Sequence, residues 1–328
     1  MSSKLFKNIL FPIITLIFIF EIIFQLLSFS NSNLIKKPIL FFNPYCDQAY
    51  WSHQKQSKIN NNNYKYHPIL SLINKNNPIP INIKDTSNNT IISDETIFYG
   101  SSFIDHSYFK RNFPKNINYA VKSYGLDQIF QSYILTKHKH YGDTIIIGFL
   151  LEDLDRVLFY SRDYEKLRFV KKDNKFSMKN TPIKLDKTID YEFYFYSYHF
   201  LKSILFLINN DFDYKKSQCS ILFKKDLFEF FIQKIKENTK KYNQNLIFIT
   251  FNFKEDFQHD LNWRYNFIKE KLKNENIHHI DTKEIILKHK KENKKNIEYY
   301  FSEKDFHYNK IANEIISDEV KNVIMQYK

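Results

Sequence analysis

Apolar and polar positions follow different rhythms along this chain. Leu10 to Phe29 reads LFPIITLIFIFEIIFQLLSF, a nearly unbroken apolar run. About 20 such residues span a hydrocarbon core, so the run predicts one N-terminal transmembrane helix. Lys4, Lys7 and the free amine precede it, which places the amino terminus in the cytoplasm and the body of the chain outside it. Lys36 and Lys37 on the far side pull the other way. Glu21 lies inside the run, where a charged carboxylate would cost roughly 3 kcal/mol unless protonated or paired. The competing reading is a cleaved signal peptide, whose apolar core runs ~7–15 residues to an Ala-x-Ala-like site. The run here is longer and offers only Ser28, Ser30 and Ser32 as small residues, which favours an uncleaved anchor over residues 1–30.

Residues 31–94 hold five prolines and the Asn60–Asn63 run, and read as a connecting segment of loops with short strands. From Thr96 the rhythm changes. Thr96–Tyr99 and Ile117–Val121 are short β-rich runs, and Gly125 to His140 has helical spacing through Leu126, Ile129, Tyr133 and Leu135. Thr144–Leu150 and Leu246–Phe251 are continuous apolar runs, the signal of buried strands, and Ile277–Ile280 is a shorter one. Residues 164–185 alternate around Asn174 and predict a hairpin insertion. Helical spacing recurs over 190–209, 224–240, 255–274 and 308–326. The 190–209 stretch carries Glu192, His199 and Lys202, so it reads as an amphipathic or buried helix rather than a second span. Alternating strands and helices predict one α/β domain over 95–328, its parallel sheet covered on both faces.

Composition changes the picture mainly by exclusion. The chain has only 4 glycines among 328 residues, and three alanines. Arginine stands at five positions only, which leaves 44 of the 49 basic residues as lysine. Phe, Tyr, Ile, Asn and Lys fill the gap, the pattern of an A/T-rich coding bias. That bias weakens the usual meaning of a +13 net charge, because the lysines are spread along the whole chain and base readout favours arginine. Nucleic acid is therefore not an expected partner. An aromatic content of 18% argues against general disorder. Cys46 and Cys219 form no framework or CxxC pair, and leave one bridge or two free thiols open.

Ligands of open α/β sheets bind beyond the carboxyl ends of the strands. Gly100-Ser101-Ser102 follows the first predicted strand, Lys122-Ser123-Tyr124-Gly125 the second, and Glu152-Asp153 with Arg156 the third. Asp305-Phe306-His307 precedes the last helix. A serine becomes nucleophilic beside a base that an acid orients, and Ser102, His307 and Asp305 supply that set. Backbone N–H groups of Ser102 and Ser123 are candidate oxyanion donors. Arg156 and Arg162 either clamp an anionic substrate or pair with neighbouring carboxylates. His138, His140, His278 and His279 lack metal-ligand spacing and read as structural, and no metal or organic cofactor is expected.

These blocks resemble the SGNH (GDSL-like) hydrolase family. YGSSF (Tyr99–Phe103) stands for its nucleophile turn, NYAVKSYGLDQ (Asn118–Gln128) for its glycine block, IIIGFLLEDLDR (Ile145–Arg156) for its asparagine block and KDFHYNKIAN (Lys304–Asn313) for its late Asp-His pair. The resemblance implies a three-layer sandwich with a flavodoxin-like parallel sheet. It also implies a serine esterase or O-acyltransferase acting through Ser102, His307 and Asp305. RVLFYSRDY and KLRFVKKDNKF resemble a membrane-tethered subgroup, which implies acyl, above all acetyl, esters of a cell-envelope polysaccharide and polysaccharide-assembly partners. The spacing between Asp305 and His307 is one residue tighter than in the family pattern, and three positions depart from it. Ser101 replaces the aspartate, Ser123 the block glycine, and Glu152 or Asp153 the block asparagine. A carboxylate at that last place would repel an oxyanion unless protonated. These departures motivate the rival expectation, a catalytically inactive scaffold or glycan-binding subunit.

Overall fold

The apolar run Thr144–Leu150 forms a strand whose residues are all buried, as a strand covered on both faces must be. In chain order the strands are β1 (Tyr64–His67), β2 (Ser71–Asn74), β3 (Thr96–Gly100), β4 (Ile117–Asn118), β5 (Thr144–Leu150), β6 (Arg168–Lys172), β7 (Lys175–Lys179), β8 (Asn245–Phe251) and β9 (His278–Asp281). The main sheet has five strands in the order β9-β8-β5-β3-β4, with every neighbouring pair parallel. The chain enters at β3, steps out to β4, then crosses back to β5 and proceeds to β8 and β9. The reversal falls between β3 and β5, the switch point beside which ligands of open α/β sheets bind. The computed structural model describes residues 10–29, 46, 48, 63–81, 95–114, 116–183, 197–198, 219–257, 263–303 and 307–327.

The helices are α1 (Phe11–Phe29), α2 (Ser107–Asn112), α3 (Leu126–Thr136), α4 (Ile221–Lys241), α5 (Trp263–Asn274), α6 (Thr282–Asn293) and α7 (Lys310–Met325). Strand alternation sends Phe98, Ile146, Ile249 and Phe251 to one face of the sheet, where Phe109, Ile286, Ile316 and Val320 of α2, α6 and α7 close the core. Tyr99, Phe149 and Phe248 serve the other face. Tyr99 meets Tyr133 of α3 at 5.7 Å between ring centres, and Phe149 meets Phe228 of α4 at 6.1 Å. The predicted hairpin is β6–β7, turned by left-handed Asp173 and Asn174 at φ 49° and 58°. Helix α5 starts at Trp263, after a short 3₁₀ turn at Lys254–Phe257. Helix α6 was not among the sequence expectations. The 190–209 stretch lies outside the described residues except for Ser197 and Tyr198.

The chain falls into two units. The larger is Lys58–Tyr160, Tyr164–Leu185 and Ser220–Lys328, and it holds the sheet. The other is Met1–Ser57, Ser161–Asp163 and Asp186–Cys219. Within it, Cys46 and Cys219 form a disulfide. Here the N-terminal expectation needs correction. The apolar run does form helix α1, but no helix among the described residues is long and apolar enough to cross a membrane. Gln25 donates to Glu21 at 3.2 Å, and the other Glu21 oxygen accepts from the Ser197 N–H at 2.9 Å and its hydroxyl at 2.7 Å. The single-pass anchor, and the extracytoplasmic placement drawn from it, fall. The expected fold class is corrected with them, to a central parallel sheet with flanking helices, an α/β sandwich.

Candidate functional site

Ser102 follows β3 in a turn that begins at the register pair Gly100–Gly148. A Cβ on Gly100 would stand 2.4 Å from the Gly148 carbonyl oxygen and 2.7 Å from Ile104 Cγ1. A Cβ on Gly148 would stand 2.5 Å from Ile104 Cδ1. The paired absence of side chains admits Ile104, fully buried, which clips the turn onto the strand ends. The Asp105 N–H donates to Ser101 O at 3.0 Å and the Asn118 amide to Ile104 O at 3.3 Å. The Asp105 carboxylate accepts the Tyr64 hydroxyl and pairs with Lys110. Burial, with the Asp105 charge second, holds the Tyr64 phenol well above its ordinary range. The turn carrying half-buried Ser102 is thus fixed from beneath and from the side.

The second segment is Val121–Gly125. The Val121 N–H donates to Gly100 O at 3.2 Å, so this loop runs beside the serine turn. Ser123 adopts φ 65°, the left-handed region, at the place where the resemblance sets a glycine. An L-residue there costs roughly 1–2 kcal/mol, which the surrounding contacts must hold. The Tyr164 hydroxyl donates to Lys122 O at 2.9 Å and Arg156 Nη1 to Tyr124 O at 3.1 Å.

The third segment follows β5 as the 3₁₀ turns Leu151–Leu154 and Arg156–Leu158. Asp153 is fully buried, with one oxygen accepting the Leu150 N–H at 2.9 Å and the other 2.8 Å from Arg156 Nη1. Burial pushes its carboxyl up to about 6, against the pull of Arg156 and of the Ser101 hydroxyl. Glu152 lies 3.8 Å from Arg156 Nε. The buried Arg156 guanidinium therefore ties the β5 turn to the Ser123 loop. The segment is pinned further by Lys166, which donates to Asp127 at 2.6 Å and to Arg156 O at 3.1 Å, and by Asp155, held between Lys224 and Arg264. Arg162 belongs to the other unit and takes no part in this description.

The fourth segment brings His307. Phe301 and Tyr308 form an isolated antiparallel bridge, and the Ser302 N–H donates to His307 O at 2.9 Å. The bridge sets His307 against the serine turn. The His307 ring lies 4.9 Å from the Phe103 ring and 5.1 Å from the His106 ring, nearly parallel to the latter at 22°. The Tyr308 ring meets the Phe103 ring edge-on at 5.1 Å. Ser102, Ser123, Asp153 and His307 thus stand on segments that share one edge of the sheet. Asp305 lies outside the described residues. Among the described residues no group of three or more His, Cys, Asp or Glu is arranged to hold a metal ion. His140 packs between Tyr119 at 3.1 Å and Asp143 at 3.3 Å, and His279 bonds Thr250 at 2.8 Å.

Two residues of this edge escaped the sequence reading. His106 presents its ring to His307. Asn252, the residue after β8, is 0% exposed, and neither polar atom of its side-chain amide has a hydrogen-bond partner among the described residues. Its N–H donates to the Tyr308 hydroxyl at 3.2 Å. The sequence carried no separate signal for either: Asn252 directly follows β8, and His106 lies farther along the segment after β3, at the N-cap of α2.

No protein-family model matches this chain, and no curated protein matches it. The SGNH resemblance is corrected accordingly, together with the membrane-tethered subgroup. The glycines of its blocks have a local cause. Gly100 and Gly148 are what the close approach of Ile104 demands, so small residues at these strand ends report packing and carry no statement of ancestry.

Proposed function

We propose that this protein cleaves or transfers an acyl ester, with Ser102 as nucleophile and His307 as base. The observation that carries this reading is the seat of His307. Its ring packs 4.9 Å from the ring of Phe103, the residue after Ser102, above the switch point of a parallel sheet. In the first step the Ser102 oxygen bonds to the ester carbonyl carbon and its proton passes to His307. Collapse of the tetrahedral species breaks the bond to the alcohol oxygen, which takes that proton and leaves. Water then gives hydrolysis, and a second alcohol gives transfer. The Ser102 and Ser123 N–H groups are the candidate oxyanion donors, and the left-handed backbone at Ser123 supports that role for its N–H. Asp305, two residues before His307 in the chain, remains the proposed acid. The glycan and the envelope partners rested on the family resemblance alone, so the substrate class named here is the acyl ester.

A second reading, a non-catalytic domain that binds an acylated ligand, draws on Asp153. Its carboxylate oxygens accept where a hydrogen-bond donor was expected. Labelling with a fluorophosphonate probe, followed by p-nitrophenyl acetate hydrolysis, separates the two. The enzyme reading expects labelling of the wild type and none of Ser102→Ala or His307→Ala. Equal labelling of wild type and Ser102→Ala overturns it. Binding of acylated ligands with no turnover supports the second.

A further inference from the structure

We infer that His106 is a positioning residue of this site, the neutral aromatic face against which the His307 imidazole becomes a cation. The inference rests on the reading of Ser102 and His307 as nucleophile and base.

Phe103 and His106 follow Ser102 on the same segment, and both rings contact the His307 ring, at 4.9 Å with a 45° tilt and at 5.1 Å with a 22° tilt. The turn is rigid for the reasons given above, so the serine and the two rings move as one piece. A rotation of the His307 ring away from the serine would break the stack on His106. The stack therefore selects the plane of the base, which general-base catalysis needs within hydrogen-bond reach of the hydroxyl.

The stack also has an electrostatic side. His106 is the N-cap of α2, and its Nδ1 accepts the Tyr108 N–H at 3.5 Å, a long bond at the edge of the geometric range. An accepting Nδ1 assigns the proton to Nε2, which is the neutral tautomer. When His307 takes the serine proton it becomes an imidazolium, and a neutral ring face near 5 Å attracts that cation. The attraction exists only once the proton has moved, so it acts on kcat and leaves ground-state binding alone.

The test compares His106→Phe, His106→Ala and His106→Arg with wild type, reading kcat and KM for p-nitrophenyl acetate, the rate of fluorophosphonate labelling, and thermal melts. His106→Phe keeps the face and is expected within about twofold of wild type. His106→Ala loses it, and kcat should fall ~3- to 30-fold with KM within about twofold. His106→Arg sets a permanent cation beside the forming one and should fall further. Wild-type kcat in His106→Ala overturns the inference. So do equal losses in His106→Phe and His106→Ala, which would mark a requirement for the histidine itself. Melts separate misfolding from either result, since His106→Phe tests the ring face in the least disruptive variant. If wild type reacts no faster than Ser102→Ala, the nucleophile reading is the one that fails.

Discussion

Replacing Gly148 by alanine tests the mechanism that holds the serine turn. The new methyl would stand 2.5 Å from both Ile104 Cγ1 and Cδ1 and 3.1 Å from Phe251 Cε2. Ile104 is fully buried and cannot rotate into solvent. Forcing a methyl into such a site costs about 1–3 kcal/mol, offset by roughly 0.5–1 kcal/mol because alanine has less backbone freedom to lose. We expect a net loss of about 1–2 kcal/mol for Gly148→Ala. Ile104→Ala alone leaves a cavity and should cost about 2–5 kcal/mol. In the double variant the clashing atoms are gone and the new methyl fills part of the hole. Its cost should therefore equal or fall below that of Ile104→Ala, a coupling of about 1–2 kcal/mol or more. Urea unfolding of the three variants measures this from midpoints at constant slope. Fluorophosphonate labelling reports whether Gly148→Ala displaces Ser102 in molecules that remain folded. Costs that add within about 0.5 kcal/mol would refute the proposed clip, since groups in contact should couple.

Two further outcomes concern buried polar groups. The Asp153 carboxyl is held up at about 6, above an ordinary aspartate, chiefly by burial. Between about pH 4 and 6 the folded state therefore binds more protons than the unfolded chain, and stability falls as pH rises through that window. The stability of wild type relative to Asp153→Asn should be greater at pH 4 than at pH 7 by roughly 2–3 kcal/mol, read from urea midpoints; a difference independent of pH contradicts the assignment. Asn252 buries an amide without partners among the described residues, so Asn252→Leu should raise stability by about 1–2 kcal/mol, and a lower melting temperature would show that the amide is satisfied in solution.

What the sequence made legible follows from how each element is covered. β5 and β8 lie at the centre of the sheet with helices on both faces, so their residues had to be continuous apolar runs, and their limits were read almost to the residue. The hairpin β6–β7 was readable because it alternates and turns at Asp-Asn. Helix α6 escaped because lysine dominates it and only Ile286 among its apolar residues is fully buried. That leaves too little amphipathic signal for periodicity to catch. The N-terminal run was read from hydropathy alone, and the partner that Glu21 finds in Ser197 lies too far along the chain for the sequence to name. At the candidate site, Gly100 and Gly148 mark a close backbone approach at the ends of β3 and β5, the part of that edge with a residue signature. The positive φ of Ser123 and the placement of His106 and Asn252 were not legible, since a single polar residue past a strand end looks the same in sequence whatever its backbone adopts and whether it faces solvent, a ligand or another ring.

The strand order has one more consequence, for the solubility of the chain when it is stressed. TIIIGFL and NLIFITF are uncharged, proline-free segments of high β propensity, the kind that assemble edge to edge when exposed. In the folded sheet both are interior. The flanks are β4, only two residues long, and β9, four residues that end in an aspartate. Short, interrupted edges are poor templates for an incoming strand. Native molecules should therefore resist growth through this sheet, and the hazard carried by these two segments is confined to molecules in which β5 and β8 have come apart.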